Sequence, residues 1–326
     1  MGARIAAAAA AGSALCQAVR VIQRRPVLLV DAPSLYFRAF FGIPEAAART
    51  ADGTPVNAAR GFLDMLAHLL RRRRPDRMVC AFDVDWRPEW RVALLPTYKT
   101  HRVASDDGDE LVPDTLSPQV PVILDLLAAV GIAVAGAQGY EADDVLGTLA
   151  TTEDGPVEVV SGDRDLFQLV DDAKPVRLLY CGRGIRRLEY FDDAQVRARF
   201  GVPAAAYADF AALRGDPSDG LPGVRGIGEK TAARLIADHG DLAGIMAALN
   251  DPGTLTPQLR SSLLAARDYL DVAPAVVRVA RDVSLPELRS TLPPAPADPE
   301  RLIALAERWN LAAACTRLVD ALRTLA

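Results

Sequence analysis

Three short apolar segments of this chain end alike: LLVD at 28–31, CAFD at 80–83 and VVSGD at 159–163. Each is too short for a helix and rich in aliphatic residues, so each reads as a buried strand. Between and around them run helical patterns: VNAARGFLDMLAHLLRRRR (56–74), stopped by Pro75, then SPQVPVILDLLAAVG (117–131) and EADDVLGTLATTE (141–153). IAVAGA and VRLLYC read as further strands. Strands alternating with helices specify an α/β fold with a mostly parallel central sheet and helices on both faces. In such sheets ligands bind in the crevice beyond the carboxyl ends of the strands. The pattern therefore brings Asp31, Asp83 and Asp163 to one edge.

More acids follow in the same places. GYEADD puts Glu141, Asp143 and Asp144 at the start of a helix, SGDRD adds Asp165, and RGDPSDG adds Asp216 and Asp219. Taken singly, acids at helix starts and after strands are ordinary caps and turn formers. Gathered at one edge they repel: two unit charges 4 Å apart cost about 1 kcal/mol in water and about 4 near a protein surface. Something positive must sit among them. Hard divalent cations with oxygen ligands, Mg²⁺ or Mn²⁺, fit best. The carboxylates exceed what one ion needs, and two ions roughly 3.5–4 Å apart can clamp the attacking and leaving oxygens of a phosphodiester. Calcium storage fits poorly, because no D-x-[DN]-x-[DN]-G loop is present. Four scattered cysteines without a CxxC pair and three histidines make a zinc site improbable and suit a reducing compartment.

The chain has 326 residues, enough for one large domain or a domain with a smaller companion. Residues 1–25 read as an Ala-rich, disordered extension rather than a signal peptide, since Arg4 is the sole early cation and no convincing cleavage site follows. Residues 26–191 read as the catalytic α/β region, with an irregular basic stretch at about 84–117 that ends in the acidic, mobile ASDDGDELVPD. Residues 192–326 read as helical, with a last helix over about 301–325. No apolar run is long enough to span a bilayer.

LRGDPSDGLPGVRGIGEKTAARLIADHG carries a glycine-rich turn that opens a helix. It is not a nucleotide P-loop, because Glu229 separates Gly228 from Lys230 and a helix, not a strand, precedes it. Such a turn exposes backbone N–H groups to a phosphate and can grip a nucleic-acid backbone without reading bases. Its bland alternative is an ordinary helix–helix turn.

In the order LLVD, DGTPVNAARGFLDML, AFD, PTYKTHR, GYEADDVLGTLA, SGDRD and RGDPSDGLPGVRGIGEKTA, the chain resembles bacterial 5′-nucleases of the flap endonuclease family, the type found alone or as the N-terminal domain of DNA polymerase I. The resemblance runs from about Val27 to the C-terminal helices and implies a PIN-like catalytic region followed by a helix-two-turn-helix element. It further implies that Asp31, Asp83, Glu141 and Asp143 hold a first metal ion, and that Asp163, Asp165 and Asp216 complete a second. Asp144 and Asp219 take supporting roles. Lys99 and Arg102 match the family's basic pair in the helical arch, placed against the scissile phosphate or the threaded 5′ strand. Phe37 and Tyr98 are further DNA contacts, as are Gly223, Gly226, Gly228, Lys230 and Thr231 of the turn, where K⁺ often binds in this family.

Three departures stand out. Ala32–Pro33 replaces the family's Gly-Ser, Phe37 stands where Tyr is frequent, and Gly220 where Asn is common; none removes a metal ligand. The implied activity is Mg²⁺- or Mn²⁺-dependent cleavage of DNA at 5′ ends and 5′ flaps in replication and repair, by a stand-alone, monomeric, cytoplasmic and nucleoid-associated enzyme. A polymerase, a ligase or a sliding clamp would be its partners, although no clamp-binding peptide is evident at the C-terminus. A net charge of −5 is compatible with a DNA substrate if much of the negative charge lies at the metal site. Arg71–Arg74 and RGIRR (183–187) are candidate phosphate contacts; the first also reads as a solvated helix end. The competing readings are a non-catalytic flap or junction binder, a PIN-type ribonuclease and, least suited, a small-molecule phosphatase.

Overall fold

The computed structural model describes residues 25–104, 110–251 and 253–325. The expected N-terminal extension, up to residue 24, and positions 105–109 of the acidic stretch lie outside the described residues.

Strand β1 (Val27–Asp31) leads into helix α1 (Ala32–Gly42), and helix α2 (Asn57–Arg73) leads back to β2 (Arg77–Ala81). The short helix α3 (Glu89–Leu94) and a 3₁₀ turn (Thr100–Arg102) follow, then α4 (Gln119–Val130), β3 (Ala133–Ala135), α5 (Ala142–Thr152), β4 (Val157–Ser161), β5 (Val176–Tyr180) and β6 (Glu189–Phe191). The six strands lie in the order β3-β2-β1-β4-β5-β6. All pair in parallel except β6, which runs antiparallel to β5. A three-residue edge strand beside an Arg-rich loop carries little hydrophobic signal, and the sequence reading passes over it.

The sheet separates two cores. Leu28, Val30, Met78, Cys80 and Val160 face α1, α2 and α4. Leu29, Val79, Val159 and Leu178 face α5 and the helices after residue 192. A strand buried on both faces cannot alternate polar and apolar residues, which is why these segments read as continuous aliphatic runs.

The helical region comprises α6 (Asp193–Phe200), α7 (Tyr207–Arg214), α8 (Glu229–His239), α9 (Leu242–Ala248), α10 (Pro257–Ala265), α11 (Arg267–Val277), α12 (Pro299–Arg308) and α13 (Ala312–Arg323). The single last helix expected over 301–325 is two, broken at Asn310, whose φ of 53° is left-handed. Leu302, Leu311, Leu318 and Leu322 of this pair join the α2–α4 core, on the other side of the sheet from α7–α11. The stretch after residue 192 therefore has two homes rather than one. Among the described residues no helix is long and apolar enough to cross a membrane.

Candidate active site

Asp31 ends β1 and caps α1: Oδ1 accepts the Ser34 N–H at 3.1 Å, while Oδ2 accepts the Ser161 hydroxyl. Asp83 follows β2 and accepts the Ala142 N–H at 2.7 Å, tying the end of that strand to the start of α5. Asp163 follows β4, its N–H donating to Ser161 Oγ at 2.8 Å. Ser161, unassigned in the sequence reading, thus braces two of the three strand ends. Together with Glu141 and Asp143, these acids line one cavity of about 210 Å³, whose wall also includes Phe37, Lys99 and Arg102.

The other acids are placed differently. Asp165 is buried beside Asp163 and donates its N–H to Asp163 Oδ1 at 2.9 Å. Asp216 pairs with Arg214 at 3.1 Å and Asp219 with Arg102 at 3.2 Å. Asp144 is withdrawn altogether. It is fully buried, takes a bidentate pair from Arg91 at 2.7 and 2.8 Å, and accepts the N–H groups of Glu141 and Ala280. With both oxygens filled it is not itself a ligand; it stands behind Glu141, holding that residue's N–H and the Arg91 they share.

Tyr98 is also corrected. It is 4% exposed and donates its hydroxyl to Glu141 Oε2 at 2.6 Å, so it cannot stack on a base. Lys99 and Arg102 do not project from a long arch helix. Lys99 starts the 3₁₀ turn with a left-handed φ of 49° and folds down onto Glu141 Oε1. Arg102 donates to Ser218 O at 2.8 Å as well as to Asp219. Phe37 remains on the cavity rim.

Arg91 of α3 is the functional residue that sequence reasoning missed. Only 2% exposed, it meets Glu141 Oε2 at 2.5 Å, spans Asp144, donates to Val276 O at 3.0 Å and stacks on Trp90. One signal could have found it: a surplus of acids demands internal cations, and Arg91 lies in the only basic stretch between the second and third acid groups.

The acids pay an electrostatic cost for assembling. Burial, followed by the Asp163 charge, pushes Asp31 up to about 6 against the relief of its hydrogen bonds. Burial and then Glu141 push Asp83 up to about 7. Burial and then Asp163 hold Asp143 and Asp165 well above the ordinary carboxylate range. Burial works against a charged Lys99, yet Glu141 and the acids around it raise its affinity for the proton.

Among the described residues no three His, Cys, Asp or Glu side chains are arranged to hold a metal ion as they stand, and Glu141 Oε1 is taken by Lys99. The donor set nevertheless suits hard divalent cations. It consists of carboxylate oxygens, several of them desolvated and mutually repelling, and Asp165 Oδ1 is buried with no hydrogen-bond partner at all.

The glycine turn sits beside this edge. Gly223 (φ 65°) lies so close to Arg214 that a Cβ there would approach its carbonyl oxygen to 2.5 Å. Gly226 and Gly228 face open space, Gly228 caps the N-terminus of α8, and Lys230 is exposed while Thr231 is half-buried in its first turn.

Two family models cover this architecture: the 5′-3′ exonuclease N-terminal resolvase-like domain over residues 26–201, and the 5′-3′ exonuclease C-terminal SAM fold over residues 202–300. The chain belongs to the 5′-3′ exonuclease family. A 5′-3′ exonuclease of Streptomyces coelicolor is 56% identical over 301 residues, covering 90% of this chain and 99% of that one. One from Mycobacterium tuberculosis is 52% identical, covering 93% and 99%. Among solved structures, the T5 D15 protein co-crystallised with metal ions shares the exonuclease fold at 18% identity, with a TM-score of 0.61 over 92% of this chain and all of the other.

Proposed function

We propose that this 5′-3′ exonuclease is a metal-dependent enzyme that hydrolyses DNA phosphodiesters at 5′ ends and 5′ flaps during replication and repair. One observation carries the reading: Asp31, Asp83, Glu141, Asp143 and Asp163, separated by up to 132 positions, line a single cavity that also holds Lys99. Asp31, Asp83, Glu141 and Asp143 would hold one Mg²⁺ or Mn²⁺ ion. Asp163 and Asp165, with Asp216 and Asp219 beside them, would hold a second. When bound, such ions neutralise the acids and supply an acidified water and a clamp on the phosphate oxygens.

The chain's own groups do the rest. Lys99, freed from Glu141, would offset charge on the scissile phosphate, the kind of placement worth orders of magnitude in rate. Arg102 stands at the cavity mouth to orient the strand, and Phe37 offers a face for an unstacked base. Gly226, Gly228 and Lys230 would present N–H groups and a cation to the duplex backbone, with K⁺ as an auxiliary ligand of the turn. Acting on DNA, the enzyme would work at the nucleoid.

A labelled 5′-flap duplex incubated with Mg²⁺ tests this. Wild type should release the flap, whereas Asp163→Ala and Lys99→Ala should not. Undiminished cutting by Asp163→Ala would remove the metal assignment.

A further inference from the structure

Arg214, the last residue of α7, stands between the acids at the sheet edge and the glycine turn. Its side chain is 11% exposed, and all three guanidinium nitrogens are engaged. Nη2 donates to Asp216 Oδ2 at 3.1 Å, Nη1 to Glu229 Oε1 at 3.4 Å and Nε to the Gly215 carbonyl at 3.0 Å. The group also lies over the Phe210 ring, 5.5 Å from its centroid. One cation is thus shared by two carboxylates, one on each side of it.

The two carboxylates have different surroundings. Asp216 spends Oδ1 on Ser218, accepting its N–H at 2.9 Å and its hydroxyl at 2.5 Å, which leaves Oδ2 to Arg214. Beyond it lie two buried oxygens without a hydrogen-bond partner, Asp165 Oδ1 and the Tyr207 hydroxyl. Burial, and then the Asp165 charge, keep the proton on Tyr207. This side lacks positive charge, and Arg214 supplies part of it. Glu229 begins α8 directly after Gly228, which puts no side chain on the first-turn N–H groups. An acid there suits the helix dipole, yet it repels a phosphate that comes for the same N–H groups. Glu229 is 59% exposed, and among the described residues Arg214 is the cation it pairs with.

The main chain around this bridge is fixed. The Arg214 carbonyl packs on Gly223, the Val224 N–H donates to Leu213 O at 2.9 Å, and Asp216 and Leu221 exchange N–H···O bonds at 3.0 and 2.9 Å. What can shift is the guanidinium between its two carboxylates.

We propose that Arg214 couples the second ion position to the duplex at the glycine turn, so that each ligand strengthens the binding of the other. This rests on the nuclease reading and adds a dependence between its two ligands. For Asp216 to offer Oδ2 to an ion, Arg214 must give it up. Arg214 then belongs wholly to Glu229 and cancels the charge that faces the duplex. In the other direction, a phosphate at the start of α8 draws Arg214 from Asp216 and frees Oδ2. Such a coupling is reciprocal by thermodynamic necessity, and typical ones change affinity by about 5- to 150-fold. Arg214 is a positioning residue, acting through the two carboxylates it holds.

The test uses the full chain and a labelled, covalently closed dumbbell duplex, which has no 5′ end to cut. Fluorescence anisotropy gives its affinity in EDTA and in saturating Mn²⁺ for wild type, Arg214→Met and Glu229→Gln. Methionine keeps an apolar stem over Phe210, and Glu229 is exposed, so both variants should melt close to wild type. Wild type should bind the dumbbell at least about fivefold tighter with Mn²⁺. Arg214→Met should lose that gain and stay weak in both buffers. Glu229→Gln should lose it the opposite way, binding in EDTA as tightly as wild type does with Mn²⁺. A full wild-type gain in Glu229→Gln overturns the proposal, even where Arg214→Met does not fold. If wild type binds Mn²⁺ and the dumbbell but shows no gain, the proposal falls and the nuclease reading stands. A wild type that binds neither takes that reading down as well.

Discussion

The Lys99 ammonium group rests on Glu141 Oε1, while Glu141 Oε2 is held from behind by Arg91 at 2.5 Å and Tyr98 at 2.6 Å. The two oxygens of one carboxylate thus have different duties: one is anchored in the protein, the other faces the cavity. Were Glu141 Oε1 to hold a metal ion, Lys99 would have to leave it and would be free to meet a phosphate in the cavity they both line. Lys99→Met should therefore lower cleavage by about 10²–10³-fold, while metal affinity stays the same or rises. Titration of Mn²⁺ into the DNA-free protein measures the second quantity; weaker Mn²⁺ binding by the variant would contradict this exchange.

The anchor makes a separate prediction. Removing one member of a buried ion-pair network leaves charges uncompensated and costs about 3–5 kcal/mol, so Arg91→Ala should be severely destabilised. Tyr98→Phe removes one hydrogen bond, costing about 1 kcal/mol, and should fold. Freed from that bond, Glu141 is less firmly aimed, so the Mg²⁺ concentration for half-maximal cleavage should rise several-fold with little change in DNA affinity. An unshifted Mg²⁺ requirement would reduce Tyr98 to packing.

How much of this was legible follows from what each residue's signal depends on. Asp31, Asp83 and Asp163 announced themselves because a parallel strand is short, aliphatic and punctuated, and because the sheet's geometry fixes where its end points. Arg91 and Ser161 did not, since their meaning lies in partners 50 and 130 positions away. What Asp144 supports was hidden for a related reason. Next to Asp143 in GYEADD it looks equivalent, yet adjacent residues at a helix start point in different directions, one into the cavity and one into Arg91. The break at Asn310 did leave a mark that the single-helix reading passes over: the inward positions 302 and 306 before it, and 311, 315, 318 and 322 after it, differ in phase by about half a turn.

The raised proton affinities carry a sign that can be checked. Unfolded, Asp31 and Asp83 titrate near 3.8; folded, they rise to about 6 and about 7. The folded state therefore binds more protons across that window, and metal-free protein should lose stability as pH rises from about 4 to about 7, at most about 1.4 kcal/mol per pH unit for each group. Mg²⁺ favours the ionised acids and should flatten or reverse the slope. Urea unfolding at pH 5 and pH 7.5, with EDTA and then with Mg²⁺, would read this; equal slopes in the two buffers would show that these acids do not meet the ion.

Two glycines near the site should respond oppositely to the same change. Both have positive φ, 72° at Gly220 and 80° at Gly226, so alanine strains either backbone by about 1 kcal/mol. At Gly226 a Cβ meets nothing within 4 Å, whereas at Gly220 it would reach the Thr97 carbonyl oxygen at 2.0 Å. That carbonyl belongs to the strip that Thr97 Oγ1 ties to Gly220 O at 2.9 Å and that the Lys99 N–H ties to Asp219 O at 3.0 Å. Side-chain bulk at 220 must push the Lys99 turn away from Asp219 and out of the cavity. Gly220→Ala should therefore lower the catalytic rate at saturating DNA and destabilise the fold by more than the backbone strain alone. Gly226→Ala should leave that rate intact and weaken only DNA binding, because its methyl group would stand where the duplex backbone approaches. Single-turnover cleavage across DNA concentrations separates the two effects, and a rate defect in Gly226→Ala with unchanged affinity would remove the glycine turn from the DNA interface.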